Sequence, residues 1–223
     1  MKKAVLFTTL CICTLMSAAL TGCSDDGGET GDQIAIPTYD FYIRFLSPSG
    51  TNILDSLNVC GDAVVRQFSD DELELRCVSS WKNRPVRKLY QSWWRIPEGE
   101  ADRPFGDPLP QGTVAVFEWG DQLYFDADRP ERLDVEYLIT LRSRMIFGDD
   151  AQHTIKWYAK VLRNIYDAYK CEVDGEPYSL ADDPVYNYWS PFWKTELAHP
   201  TLVESGSGYI HSIGAVITIN VKK

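Results

Sequence analysis

The sequence predicts an all-β protein, an antiparallel β-sandwich with long loops. Three observations carry that prediction. Apolar residues recur with a period of two rather than 3.6 from Tyr39 onward, the connecting stretches are rich in Pro, Gly, Asp and Ser, and one segment has hairpin-turn chemistry at its centre. A period of two marks a strand with one buried face, because successive side chains on extended backbone point to opposite sides.

Tyr39 to Leu46 opens the pattern, and Ser47-Pro48-Ser49-Gly50 ends that strand with turn residues. Glu72 to Val78 follows, with Leu73, Leu75 and Cys77 on one face. Val86 to Ile96 contains Trp93-Trp94, neighbours that face opposite ways, which assigns one of the two to the core. The connection from Pro97 to Gly112 leads to Thr113 to Trp119, then Gly120-Asp121, then Gln122 to Phe125. A two-residue turn with Gly first suits a hairpin, since Gly tolerates the positive φ required there. This register places Val114, Val116, Leu123 and Phe125 on one face, and Phe117, Trp119 and Tyr124 on the other. The second face is either covered by loops, which is the favoured reading, or an exposed aromatic platform.

The longest alternation runs through Leu133, Val135, Tyr137, Ile139, Leu141 and Met145, against Asp134, Glu136, Thr140, Arg142 and Arg144. His153 to Tyr169 reads two ways. Ile155, Trp157, Ala159 and Val161 alternate as in a strand, while Ile155, Tyr158, Leu162, Ile165 and Tyr169 also form a helical stripe. Two strands with a break near Arg163-Asn164 are favoured, because the β-prone Tyr169 to Val173 and the turn Asp174-Gly175 follow directly. Ser205-Gly206-Ser207-Gly208 then leads to the terminal strand, Ala215 to Val221.

The first 26 residues carry an address. Lys2 and Lys3 precede an apolar run from Ala4 to Leu20, too short to read as a membrane span, and Leu20-Thr21-Gly22-Cys23 stands immediately before Ser24-Asp25-Asp26. Leu20-Thr21-Gly22-Cys23 resembles the bacterial lipobox, and the resemblance implies removal of residues 1–22 and lipidation of Cys23. Cys23-Ser24-Asp25-Asp26-Gly27-Gly28-Glu29 resembles the export signal that sends lipoproteins of Bacteroidota to the outer face of the outer membrane; the alternative is a plain polar tether. Residues 23–33 then form an acidic leash, since Gly, Asp, Glu and Thr bury too little surface to offset ordering. The whole chain is similar in pattern to small Bacteroidota surface lipoproteins of unknown function with an immunoglobulin-like or transthyretin-like sandwich. That likeness is specific over the first 30 or so residues and implies no functional residues beyond Cys23.

Removing 22 of 223 residues leaves enough chain for one domain with a sizeable core, residues 34–223. The formal charge of −10 argues against nucleic acid, whose phosphates demand a basic surface. Cys60, Cys77 and Cys171 remain for the fold, an odd number that permits at most one bridge among them. Cys77 shares a face with Leu73 and Leu75, and Cys171 with Tyr169 and Val173. Both a Cys77–Cys171 bridge and buried unbridged thiols fit.

Signatures of catalysis are sparse. The chain has no Gly-x-Ser-x-Gly, no His-Glu-x-x-His, no phosphate-cradling loop, no dinucleotide fingerprint and no Cys-x-x-Cys, so no cofactor or metal is expected. His153, His199 and His211 are its three imidazoles, and nothing places them together. Asp126, Asp128 and Glu131 have a spacing that suits a hard cation but lack the remaining positions of a calcium loop, and Asp182-Asp183-Pro184 reads as a turn opener.

Aromatic excess is the stronger lead. The run Tyr186-Asn187-Tyr188-Trp189-Ser190-Pro191-Phe192-Trp193 has no regular period and sits beside Pro184 and Pro191. Flat rings with a polar edge stack on sugars and dominate protein interfaces, so Tyr186, Tyr188, Trp189 and Trp193, with Trp119 and Tyr124, are the ligand-binding candidates. The competing reading folds this loop back as a plug on the sandwich. Three functional classes follow: a noncatalytic surface module binding glycan or protein, a structural or adhesin-assembly subunit working by strand addition, and a hydrolase built on two carboxylates.

Overall fold

Tyr39, Phe41, Ile43 and Phe45 are all fully buried, and the residues between them are not, so the first alternating segment folds as read. The computed structural model describes residues 38–97, 111–120, 127–162, 165–183, 186 and 212–222. Its strands in chain order are β1 (Thr38–Leu46), β2 (Val65–Gln67), β3 (Glu74–Ser79), β4 (Arg84–Pro85), β5 (Arg87–Ile96), β6 (Gly112–Gly120), β7 (Arg132–Arg142), β8 (His153–Leu162), β9 (Ile165–Val173), β10 (Glu176–Tyr178) and β11 (Ser212–Asn220). Among the described residues the short helices α1 (Ile53–Ser56) and α2 (Arg144–Phe147) lie between strands. One sheet has the order β11-β1-β6-β5-β2 and the other β10-β9-β8-β7-β3-β4, and together they make an all-β sandwich. All described residues belong to one compact unit.

The core lies between the sheets and is strongly aromatic. Phe41 stacks on Trp119 with ring centroids 4.3 Å apart, and Trp157 meets Phe41 edge-on at 5.0 Å. Tyr39 and Tyr137 fill the space beside them at 5.5 Å. Residues from both inner faces thus interlock, as in aligned sheet packing. The outward face of the first sheet is partly covered too: Ile96, Val114 and Val116 are buried there against Tyr42, Tyr90 and Trp94. Trp93 is in the core and Trp94 on this second face, which resolves the adjacent pair as expected.

Several expectations change. The sandwich is not wholly antiparallel, because β11 runs parallel to β1 from Thr38↔Ser212 to Leu46↔Asn220. From Gly214 to Ile217 β11 is buried at every residue, the pattern of a strand covered on both faces. β6 is not paired in the expected hairpin: β1 and β5 occupy its two edges from Ala115 to Gly120, leaving no edge for Gln122 to Phe125, which lie outside the described residues. Met145 does not extend β7. Ser143 caps α2 by accepting from the Ile146 N–H, and Gly148, at φ 80°, ends it.

Tyr169 does not share a face with Cys171. The β8–β9 register steps from Tyr158↔Lys170 to Ala159↔Ala168, so Tyr169 is the extra residue of a bulge and is turned to solvent at 46 % exposure. Leu89 in β5 is displaced in the same way, between the pairs Lys88↔Trp119 and Tyr90↔Glu118. The two-strand reading of 153–173 holds, with Asp174 at φ 51° and Gly175 at φ 84° forming the turn into β10.

Cys60, Cys77 and Cys171 are in no disulfide and are all buried. A Cys77–Cys171 bridge is excluded by topology. Cys77 lies in β3 and Cys171 in β9, with β7 and β8 between them, which separates them by roughly 14 Å at three strand spacings, far beyond disulfide reach.

Candidate functional site

The aromatic run begins where β10 hands the chain to the last strand. Asp183 follows a 3-10 turn at Leu180–Asp182 and is 3 % exposed. Its Oδ1 accepts from the Tyr186 N–H at 2.8 Å, and its Oδ2 accepts from the Val216 N–H at 2.5 Å. One carboxylate therefore ties the start of the run to β11. The Tyr186 ring meets Trp157 edge-on at 6.3 Å, and its hydroxyl donates to the Ala168 carbonyl. Tyr186 is thereby held by its backbone, its ring and its hydroxyl.

The same residues finish the edge of the sheet. Val216 and Thr218 turn their amides away from β1, where a neighbouring strand would bind. Instead Val216 donates to Asp183, and the Tyr178 hydroxyl accepts from the Thr218 N–H at 3.2 Å while donating to the Val216 carbonyl at 3.0 Å. Side chains thus occupy the middle of an edge that would otherwise template strand addition.

A second feature lies on the flank where β3 and β4 face β5. A cavity of about 330 Å³ opens there, lined among the described residues by Leu75, Cys77, Val78, Pro85, Val86, Phe117 and Trp119, with Arg76 and Lys88 beside them. The chain crosses from one sheet to the other at this point, and the Val86 N–H donates to the Cys77 carbonyl at 2.9 Å. Arg76 pairs with Glu74 at 2.5 Å and Lys88 with Asp70 at 3.0 Å.

No family model, curated protein or solved structure matches this chain.

Of the ligand-binding candidates, Tyr186 is half-buried and anchors the run. Trp119 belongs to the core: it is 1 % exposed, stacked on Phe41 and Phe117, and presents no ring face to solvent. The physical reason is that β6 is a central strand whose Phe117–Trp119 face meets the opposite sheet, so these two rings are covered by the second sheet rather than by loops, and it is Val114 and Val116 that take the outward face. Tyr188, Trp189, Trp193 and Tyr124 lie outside the described residues, as do Cys23, His199 and His211.

The other chemical candidates have structural roles. His153 Nδ1 pairs with Asp174 Oδ2 at 2.8 Å and its ring stacks on Phe147 at 3.8 Å, closing the β8 end of the hairpin. Asp128 accepts from Lys82 through both oxygens, at 2.6 and 2.8 Å. No group of three or more His, Cys, Asp or Glu suited to a metal occurs among the described residues. Burial pushes the Cys171 thiol up to about 12, with the nearby Asp183 and Glu172 carboxylates adding to the shift, and burial also raises Cys60. Neither is an activated nucleophile.

Sequence reasoning missed Asp183 and Tyr178 as clamps, since a turn-opening Asp and a strand-end Tyr look ordinary until β11 is placed beside them. It also missed the bulge that exposes Tyr169. That ring lies 6.3 Å from Tyr158 under the Lys160 ammonium, while Lys170 sits over Tyr158.

Proposed function

We propose that this protein is a noncatalytic binding module, lipid-anchored through Cys23 to the outer face of a Bacteroidota outer membrane, that recognises a glycan or a surface protein through the aromatic run beginning at Tyr186. The observation that carries the reading is the fastening of Tyr186 to Asp183, Ala168 and Trp157. Residues that follow a fixed point sample fewer arrangements than a loose loop, which lowers the ordering cost of binding. Trp189 and Trp193 supply the ring faces in this reading, with Tyr188 beside them. The leader supports the address: a positive tip, an apolar run, Leu20-Thr21-Gly22-Cys23 and then acidic residues, in that order. A leash of about ten residues reaches at most roughly 35 Å, so the module works close to the membrane.

Assembly by strand addition has less support at β11, whose edge is met by Asp183 and Tyr178. The test is a screen of the protein against arrayed glycans and surface proteins, repeated with Trp189→Ala/Trp193→Ala. The reading expects at least one ligand for the parent chain and its loss in the double variant. A parent that binds nothing on either array, or a folded double variant with undiminished affinity, overturns it.

A further inference from the structure

The bulge in β9 brings an aromatic ring out onto the surface. Ala168 and Cys171 both face the core, which unbroken alternation does not allow, and the extra residue turns Tyr169 outward beside Tyr158. Among the described residues the most exposed large apolar side chains are Leu57, Val64, Leu89 and Tyr169, and Tyr169 is the aromatic one. The charges around the two rings are balanced. Tyr158 and its flanking lysines alternate with buried Ile155, Trp157, Ala159 and Val161, so they share the outward face with the β7 and β9 residues opposite them. Among the described side chains Lys156, Lys160 and Lys170 there stand against Asp134, Glu136 and Glu172. Lys156 pairs with Glu136 at 3.5 Å and Lys170 with Glu172 at 2.5 Å, while Lys160 lies over the Tyr169 ring at 5.0 Å. Such a face exerts no net pull on a polyanion or an anionic lipid surface, yet it offers donors and acceptors side by side.

We infer that the outward face of β7, β8 and β9 binds a neutral glycan chain, with one sugar stacked on Tyr169, its neighbour on Tyr158, and their hydroxyls hydrogen-bonded by the surrounding lysines and carboxylates. A sugar has an apolar ring face and a rim of hydroxyls, which match an exposed ring set among donors and acceptors. The two ring planes are inclined at 49° with centroids 6.3 Å apart, so they suit successive sugars of a single twisted chain rather than the flat face of a crystalline polymer. A protein partner fits less well, because its interface needs an apolar centre depleted of charge, and here each ring has a lysine over it. Lys160 is exposed, and an exposed cation–π contact is weak enough for its ammonium to move from the ring to a sugar hydroxyl. The face is separate from the aromatic run and does not depend on it: Tyr186 meets the inward Trp157, whereas Tyr158 and Tyr169 point outward.

The test is titration calorimetry of the full chain in phosphatidylcholine nanodiscs with cellohexaose, xylohexaose, mannohexaose and maltohexaose, and with hexagalacturonate as the charged counterpart. At least one neutral hexaose should bind with a Kd of roughly 0.1–1 mM that is unchanged between roughly 0.05 and 0.5 M salt, and hexagalacturonate should bind no more tightly. Tyr169→Ala should weaken that binding about tenfold and Tyr169→Phe by no more than about twofold, while Leu89→Ala, at the other bulge, should leave it unchanged. The binding should persist in Trp189→Ala/Trp193→Ala protein, so a failure of this face and a failure of the aromatic run are distinguishable. The inference is overturned if no neutral hexaose binds, if hexagalacturonate binds more tightly, or if folded Tyr169→Ala protein keeps full affinity. Binding lost in the double Trp variant but not in Tyr169→Ala belongs to the aromatic run and equally overturns it.

Discussion

Replacing Asp183 tests how the start of the aromatic run is fixed. The carboxylate is buried and accepts two backbone N–H groups, from Tyr186 at 2.8 Å and Val216 at 2.5 Å. Hydrogen bonds to a charged acceptor contribute about 1.5–3 kcal/mol each, and among the described residues no strand lies beyond the Val216 amide to replace the loss. Asp183→Ala should therefore destabilise the protein by roughly 3–5 kcal/mol, and Asp183→Asn, which keeps one acceptor oxygen, by roughly half of that. Urea unfolding gives the free energies, and amide hydrogen exchange resolves the place: Val216 and Thr218 should lose protection before Ile139 or Ile155 at the centre of the other sheet. An Asp183→Ala protein within about 1 kcal/mol of the parent, with Val216 protection unchanged, would refute the clamp.

Other outcomes follow from particular contacts. Tyr186→Phe removes the hydroxyl bond to Ala168 and should cost about 1 kcal/mol in the same unfolding assay. Glu72 is held below its ordinary value of 4.5 chiefly by its bond to Arg66, opposed by partial burial, so the pair stabilises the fold above that pH and the contribution fades as pH falls through the depressed folded value. Glu72→Gln should accordingly destabilise at pH 7 and match the parent in strong acid, as urea midpoints across pH will show. Thiol titration should find Cys60, Cys77 and Cys171 all reduced after denaturation without reductant, with Cys171 unreactive at pH 8 while folded. Cys23→Ser should release or misprocess the protein in cells, and neutralising Asp25 and Asp26 should move it out of reach of protease added to intact cells; unchanged surface exposure would contradict the export reading.

What the sequence disclosed was set by how local each feature is. Tyr39 to Phe45, Leu75 to Cys77, Leu133 to Leu141 and Ile155 to Val161 declare their buried face within a few residues, because the period of an extended chain is two. The Asp174-Gly175 turn is local in the same sense. The failures are non-local. Gly120-Asp121 has hairpin chemistry, yet β1 and β5 claim both edges of β6 from far away in sequence, and β11 arrives parallel to β1. The bulge at Tyr169 leaves no sequence mark, because the extra residue is defined only against its partner strand. Of the candidate site, the sequence offered the ring types but not the division between them: Trp119 is core, Tyr186 is an anchor, and the buried acceptor that positions it is a turn-like Asp.

The central claim is that binding runs through the aromatic residues beyond the Tyr186 anchor. Its most direct test is the affinity of a glycan or surface protein, found with the parent chain, for Trp189→Ala/Trp193→Ala protein whose urea midpoint is unchanged. The account predicts a loss of roughly 1,000-fold, the sum expected from two aromatic anchors at roughly 2 kcal/mol each. Equal affinity for parent and double variant would contradict it.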